Sequence, residues 1–394
     1  MPLLLVPHLM RTIGAEGFGQ FNTALLAASL TIPVFDMGFD LFAARQVARG
    51  ESSMNSLLGM HLQQRLLLLL PVGLLYLLLT EWIPSFQLIR PVMHFGLLYA
   101  FITSLLPNWY FEGKKRFHIV QWGAFGWKLI YTTLTFIWVQ RADQTAAVMA
   151  INAIGGGSLL LFYLLRMRSE GVRPEWVSWK AVRESLRANS PIFITPMTTY
   201  LVTFMPSLIV SFLLSPAQFG YYAVVDRVLQ VFRLPASLLS TVVYVQYNEL
   251  LRKEQAAFRR FFNWISLLVY GGGLLGVAFL LLVKMPLLNL LTADQIEDEA
   301  LLAYQVLLWS GIFIIQRNHL QKLLLSLNAE KALARSSVLV LMLMPLLFVG
   351  AHHLAGHRAL FMAIVGYELL FVLVLGVISR RHVRRFSLFP HAPK

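Results

Sequence analysis

Seven polar or aromatic residues between Ser215 and Tyr247 fall on one stripe of a helix drawn at 100° per residue: Tyr222, Asp226, Gln230, Arg233, Ser237, Ser240 and Tyr244. Arg227 stands to one side of it, and Val224, Val225, Val228, Val231, Leu238 and Val242 cover the other face. The stretch is long and apolar enough to span a bilayer, where an ionisable group is costly unless it pairs or faces water. The stripe therefore reads as the wall of a polar cavity. The competing reading is an amphipathic helix on the membrane surface. Further charges sit in other apolar segments: Lys128, Arg317 and Glu368, with Asp36 and Asp40 near one end of theirs. Cations at least match acids, and that balance suits an anionic cargo. Arginine forks match phosphate oxygens two at a time, so Lys128, Arg227, Arg233 and Arg317 are candidate substrate-binding residues. Asp226, Glu368 and Asp36 are candidates for balancing those charges or taking up a coupling H+ or Na+; Glu368 has no cation within a turn of it. Two plainer readings stand beside this one. Arg317 lies near a span end, where snorkelling to the interface is the expectation. The charges could also be structural pairs, Asp226 with Arg233 and Lys128 with Glu368.

The elements that must hold these groups are membrane spans. Of 394 residues, 57% are hydrophobic and 13% charged, about half the charge of a soluble domain, and mean hydropathy is +0.65. Apolar segments near 19–42, 57–80, 87–110, 118–140, 144–166, 190–213, 218–246, 261–283, 300–323, 333–354 and 359–379 are long enough to cross. Before them Met1–Met10 reads as the second half of a span, so the expectation is about twelve transmembrane helices with the first truncated. The net charge of +14 needs no nucleic acid partner: 24 of the 33 Lys and Arg fall in the even-numbered loops and the tail, and 5 in the odd ones, which hold the acidic Asp294–Glu299. Basic loops stay in the cytoplasm, which places the C-terminus there too.

The chain also looks duplicated. Phe18-Gly19-Gln20-Phe21 and Phe219-Gly220-Tyr221-Tyr222 each open a span, with Pro33 and Pro235 at nearly equal offsets. Six intervening spans make such repeats parallel. The expected organisation is an N-terminal bundle over 1–166, a basic connector over 167–189 with a surface-lying amphipathic helix, a C-terminal bundle over 190–379 and a basic tail over 380–394. The connector's cations would meet anionic lipid headgroups. Pro191, Pro196 and Pro206 suggest kinks beside a cavity, and Gly155–Gly157 and Gly271–Gly273 close helix packing.

Several chemistries find no residues. There is no phosphate-cradling glycine loop, no nucleophile–base–acid set and no cysteine. His352, His353 and His357 read as exposed loop histidines, and no metal or other cofactor is expected. Every outer loop is short, which weighs against a membrane-embedded glycan polymerase or ligase and against an enzyme generally. A drug or organic-cation antiporter would want a cavity richer in acids.

Several motifs stand in order along the chain. Pro7-His8-Leu9-Met10-Arg11-Thr12-Ile13-Gly14-Ala15-Glu16-Gly17-Phe18-Gly19 is similar to P-x-L-x-R-x-L-G-x-E-x-[FY]-G. Asp36-Met37-Gly38-Phe39-Asp40 looks like [DE]-x-G-F-[ND], with Arg45 beyond, and Trp109-Tyr110-Phe111-Glu112-Gly113 like W-x-F-[QE]-G. With Ser190-Pro191-Ile192-Phe193, and Leu213 to Pro216 leading into Gly220, which look like the opening of a second half, the ordered set resembles the Wzx-like polysaccharide flippases of the multidrug/oligosaccharidyl-lipid/polysaccharide superfamily. The resemblance implies an all-α fold of two six-helix bundles around a central cavity in the bacterial inner membrane. It implies flipping of an undecaprenyl-pyrophosphate-linked oligosaccharide to the outer leaflet, with a polysaccharide polymerase and a chain-length regulator as candidate partners. It assigns no role to Lys128, Arg227, Arg233 or Glu368.

Overall fold

The computed structural model describes residues 2–253, 255–292 and 298–388, most of which are helical, with no strand among them. Residues 293–297, most of the expected acidic outer stretch, lie outside the described residues, as do 389–394 and the side chains of Pro191, Ser237 and Leu238. The chain divides into two compact units, Met1–Gly220 and Tyr221–Lys394. Seven helical stretches among the described residues are long and apolar enough to cross a membrane. The stretch expected to open the second bundle at 190 packs within the first unit.

The first unit holds α1 (Pro2–Thr12), α2 (Gly14–Asp36), α3 (Phe39–Arg49), α4 (Met54–Trp82), α5 (Pro84–Gln87), α6 (Arg90–Ser104), α7 (Asn108–Gly113), α8 (Phe117–Trp138), α9 (Thr145–Ser169), α10 (Trp179–Leu213) and the first turn of α11 (Pro216–Lys253). Helix α2 is the axis: it packs on α6 and α10, while α9 backs α6 and α8. On α4, Leu66, Leu70, Leu74 and Leu78 are exposed four residues apart, an apolar stripe suited to lipid.

Local sequence explains the sharpest turn. Helix α2 stops at Met37 and Gly38, both left-handed at φ 48° and 78°, a conformation glycine adopts without strain. A Cβ on Gly38 would lie 2.9 Å from the Phe193 nitrogen and 3.0 Å from the Asn189 carbonyl oxygen of α10. Asp36 holds the turn by accepting from the amides of Gly38 at 3.1 Å and Asp40 at 3.0 Å.

The connector differs from expectation. Helix α10 runs unbroken over 35 residues through all three prolines, so the amphipathic stretch is its opening turns. Val182, Ser185 and Asn189 are buried there while Lys180, Arg183 and Arg187 are exposed. Residues 172–178 are neither helix nor strand and lie along α4. The Asn55 side chain accepts from the Arg173 amide at 3.0 Å, its carbonyl from the Glu175 amide at 3.1 Å, and the Gln63 amide group binds both N–H and C=O of Val177 at 3.0 and 2.9 Å. Gly59, between them on the same face, leaves room that a Cβ would fill, 1.8 Å from the Glu175 oxygen. The backbone groups of a segment outside helix and sheet need such partners, and one stripe of α4 supplies them.

Just ahead of this strap, Glu170 gathers three donors: the Tyr110 hydroxyl at 2.8 Å, Lys114 Nζ at 2.9 Å and Arg116 Nη1 at 2.5 Å. Burial alone would raise the carboxyl's pKa; these hydrogen bonds overcome it and hold it at about 2. A folded-state value below the unfolded one stabilises above the unfolded pKa and stops doing so as pH falls through the folded one. The purified Glu170→Gln protein is therefore expected to melt about 2–4 °C below wild type at pH 7. The gap should close as pH drops from about 4.5 towards 2. Equal melting at pH 7 would mean that the cluster contributes nothing.

The second unit continues α11 and adds α12 (Gln255–Leu282), α13 (Lys284–Thr292), α14 (Asp298–Ser326) and α15 (Glu330–Leu388). Helix α15 is two passes joined at Ala355 and Gly356, whose backbones leave the helical region. Helix α14 packs along α15 and α12. Cβ atoms on Gly276 and Gly311 would meet the Phe232 ring at 2.1 and 3.1 Å, so these glycines seat α11 on α12 and α14. Gly273 lies near Ile312, whereas nothing lies within 4 Å of a Cβ on Gly271 or Gly272.

Candidate functional site

Three polar clusters lie within the apolar helices. The first contains Arg65, one of the 24 cations that sequence assigns to the even-numbered loops and the tail. The structure corrects this: Arg65 is interior to α4 and 0% exposed. Its Nη2 donates to Asp36 at 2.6 Å and Asp40 at 2.8 Å, and its Nε to the Ser104 carbonyl at 3.0 Å. The Phe39 ring lies 5.0 Å from the guanidinium carbon. One turn away, His61 Nδ1 accepts from the Trp109 indole at 3.0 Å while Nε2 faces the Leu105 carbonyl at 3.0 Å. Indole only donates and carbonyl only accepts, so the proton sits on Nε2 and the imidazole is neutral. The 3.8 Å approach of Nδ1 to Asp40 is then no ion pair. Two carboxylates share one arginine.

The recognisable motifs serve this cluster and its surroundings. Asp36, Gly38 and Asp40 make the turn, and Trp109 fixes His61. A Cβ on Gly113 would lie 2.6 Å from Val47 and 2.8 Å from the Ala44 carbonyl of α3. Gly14 has a φ of +71° at the α1–α2 joint; Arg11 and Arg45 are exposed. The duplicated Gly19 and Gly220 meet each other. A Cβ on Gly19 would lie 1.8 Å from the Pro216 carbonyl, and one on Gly220 2.0 Å from that of Ala15. Each glycine thus faces the residue four before the other.

The second cluster, also in the first unit, surrounds Lys128 on α8. Its Nζ lies 4.3 Å from the centre of the Trp127 ring and 5.6 Å from that of Tyr131, so aromatic faces carry part of its charge. Trp127 in turn donates to the Asn152 carbonyl at 3.1 Å and packs against Gly155. In α9, Gly155 and Gly156 therefore serve packing, whereas nothing lies within 4 Å of a Cβ on Gly157.

The third cluster lies in the second unit and gathers most of the remaining sequence candidates. Along α11, Arg227 donates to Gln230 at 3.0 Å, Gln230 donates to Asp226 at 2.8 Å, and Arg233 Nη2 stands 3.7 Å from Asp226. Arg317 does not snorkel: it is 8% exposed, and its Nη1 donates to both oxygens of Glu368 at 2.9 and 2.8 Å. Glu368, expected to lack a cation nearby and to pair with Lys128 in the plainer reading, is taken by Arg317. The charge of Arg233 also acts on it. Arg233 Nε, Arg317 Nε and the Tyr367 hydroxyl are buried without partners in the structure. Buried donors left unmade are costly, so each of these three would be stabilised by an acceptor atom.

Sequence reasoning missed Arg65, Glu170 and His319, whose Nε2 lies 3.3 Å from the hydroxyls of both Tyr247 and Ser266. The available signal for Arg65 was the polar run Gln63-Gln64-Arg65 within an apolar helix. Among the described residues no group of three His, Asp or Glu is placed to hold a metal.

The profile of a family described as Polysaccharide biosynthesis protein matches residues 1–247. A protein of Escherichia coli (strain K12) named "Putative O-antigen transporter" is 23% identical over 231 residues, 56% of this chain and 54% of that protein. A protein of the same name from Shigella dysenteriae is 23% identical over 218 residues, 54% of each. The chain thus spans about half the length of these curated relatives. Among solved structures, an inward-facing multidrug resistance MATE family transporter of the MOP superfamily superposes with a TM-score of 0.70 at 12% identity, over 98% of both chains. The lipid II flippase MurJ in an inward closed conformation gives 0.64 at 14%, over 95% of this chain and 88% of that one. These two likenesses establish the fold.

Proposed function

Because the chain belongs to the polysaccharide biosynthesis protein family, we propose that it is a transporter, not an enzyme, that flips a lipid-linked oligosaccharide across a membrane. The cargo is an undecaprenyl-pyrophosphate-linked repeat unit, carried from the inner to the outer leaflet of a bacterial cytoplasmic membrane by alternating access. The basic loops and the C-terminus face the cytoplasm. The observation that carries this reading is the third cluster, where Arg233 and Arg317 each keep a buried Nε without a partner. A pyrophosphate offers oxygens to such donors, and charge-assisted bonds of this kind are the strong ones. Asp226 and Gln230 hold Arg227 and Arg233 in place, and the lipid tail stays in the bilayer. The relatives' names and the fold shared with MurJ support the cargo class.

The test is complementation. Expressed with its cognate sugar genes in a strain lacking a repeat-unit flippase, the chain is expected to restore surface polysaccharide. Arg233→Glu should abolish this, by more than tenfold, at unchanged membrane abundance. Full transport by that variant would sink the assignment of Arg233.

A further inference from the structure

In the third cluster the acid is bound where an anionic cargo would be. Arg317 gives Glu368 a single nitrogen, Nη1, which reaches both carboxylate oxygens, and its Nε has no partner. A guanidinium presents five N–H donors in a rigid fork, so this pair leaves part of the fork unused. The Phe371 ring, 5.2 Å from the guanidinium carbon, limits how far the arginine can turn. Arg233 is the second cation acting on Glu368, and its own nearest acid, Asp226, is at 3.7 Å, beyond hydrogen-bond reach. Tyr367, next to Glu368 on α15, is 1% exposed with its hydroxyl unpaired. Glu368 therefore hydrogen-bonds one nitrogen of Arg317, while the Nε atoms of Arg317 and Arg233 and the Tyr367 hydroxyl stay unpaired among apolar helices.

Resting on the proposed function, we propose that Glu368 is an internal stand-in for the cargo's phosphate: pyrophosphate displaces it from Arg317, and the displaced carboxylate takes up one proton. The balance is simple. The Arg317–Glu368 pair opens, the donors of Arg317 and Arg233 pass to the phosphate oxygens, and the carboxylate, buried with both cations now engaged by the phosphate, is neutralised by one H+ taken from the aqueous solution. When the cargo leaves, the proton leaves and the pair closes. The charged and titratable groups facing Glu368 among the described residues are Arg317 on α14, Arg233 on α11 with Asp226 behind it, and Tyr367 on its own helix. One site would then bind the anion and couple it to a proton, so each cargo head group entering the site brings one H+ with it.

The experiment uses the full chain purified in detergent. The probe is UDP-glucose, a soluble pyrophosphate diester that does not itself titrate near neutral pH. Binding is followed by thermal shift, and proton exchange by a pH dye in weak buffer. Wild type is expected to bind the probe and take up about one proton per chain. Glu368→Gln, which removes the competitor, is expected to bind at least tenfold more tightly and to take up none. Arg317→Gln/Glu368→Gln keeps the site neutral and is expected to lose binding. Binding by wild type without proton uptake overturns the stand-in and leaves the anion site standing. Glu368→Gln taking up the same proton as wild type also overturns it. No binding by wild type overturns the anion site itself, and the stand-in with it. The wild-type measurement decides even if Glu368→Gln does not fold.

Discussion

An Arg65→Leu variant is expected to reach the membrane at about a tenth of the wild-type level or less. Arg65 is wholly buried, and it is the cation donating to both Asp36 and Asp40. Removing one side of a buried ion pair costs about 3–5 kcal/mol, because the other side is left as an uncompensated charge. Here two carboxylates would be left. A loss of that size is a large share of a protein's net stability, and cells clear such proteins. The mechanism has its own signature. Adding Asp36→Asn and Asp40→Asn to Arg65→Leu removes the stranded charges and should recover much of the lost protein. Normal abundance and melting of Arg65→Leu alone would show that the cluster is not what fixes the α2–α3 turn to α4.

Gly19→Leu is expected to be as damaging for a different reason. A Cβ at this position would stand 1.8 Å from the Pro216 carbonyl, where ordinary contact begins at 3.4 Å. The obstacle is backbone, which cannot rotate away, so the helices must part by about 1.5 Å. Overpacking of this kind costs about 1–3 kcal/mol for a single added methylene and more for a whole side chain. Gly220→Leu should match it, since Gly220 meets Ala15 in the same way. Quantifying folded protein by size-exclusion profile in detergent checks both; wild-type profiles would mean that the helices do not need this approach. The double variant should be little worse than either single one, because residues in contact are not additive.

These two sites show what sequence can and cannot carry. Asp36, Gly38, Asp40, Trp109 and Gly113 are short-range patterns, and their turn and packing roles follow from residue type. Gly19 and Gly220 were legible as a repeat, but that the repeats touch is a fact of the fold. Arg65 was counted with the loop cations although it falls inside the apolar segment near 57–80, and only the buried carboxylates show what it pairs with there. The Arg317–Glu368 pair joins residues 51 apart, a separation at which no periodicity speaks. Lone depth in the membrane therefore suggested snorkelling for one and an unpaired acid for the other. Helix α10 absorbed its connector because buried Val182 and Asn189 anchor its opening turns, whereas a polar stretch beside a proline reads as a break. The strap over 172–178 has no regular pattern of its own; the stripe Asn55, Gly59 and Gln63 that holds it is visible only once it is seated.

The most direct measurement is flipping by the purified chain. It would be reconstituted into liposomes loaded with a fluorescent undecaprenyl-pyrophosphate-linked oligosaccharide, and the label exposed on the outer leaflet would be followed by an added quencher. The account predicts that quenching rises from about half of the label, as in protein-free vesicles, to nearly all of it. Arg317→Gln/Glu368→Gln should stay at the protein-free level. Wild-type vesicles that also stay at half, with the protein folded and inserted, would contradict it.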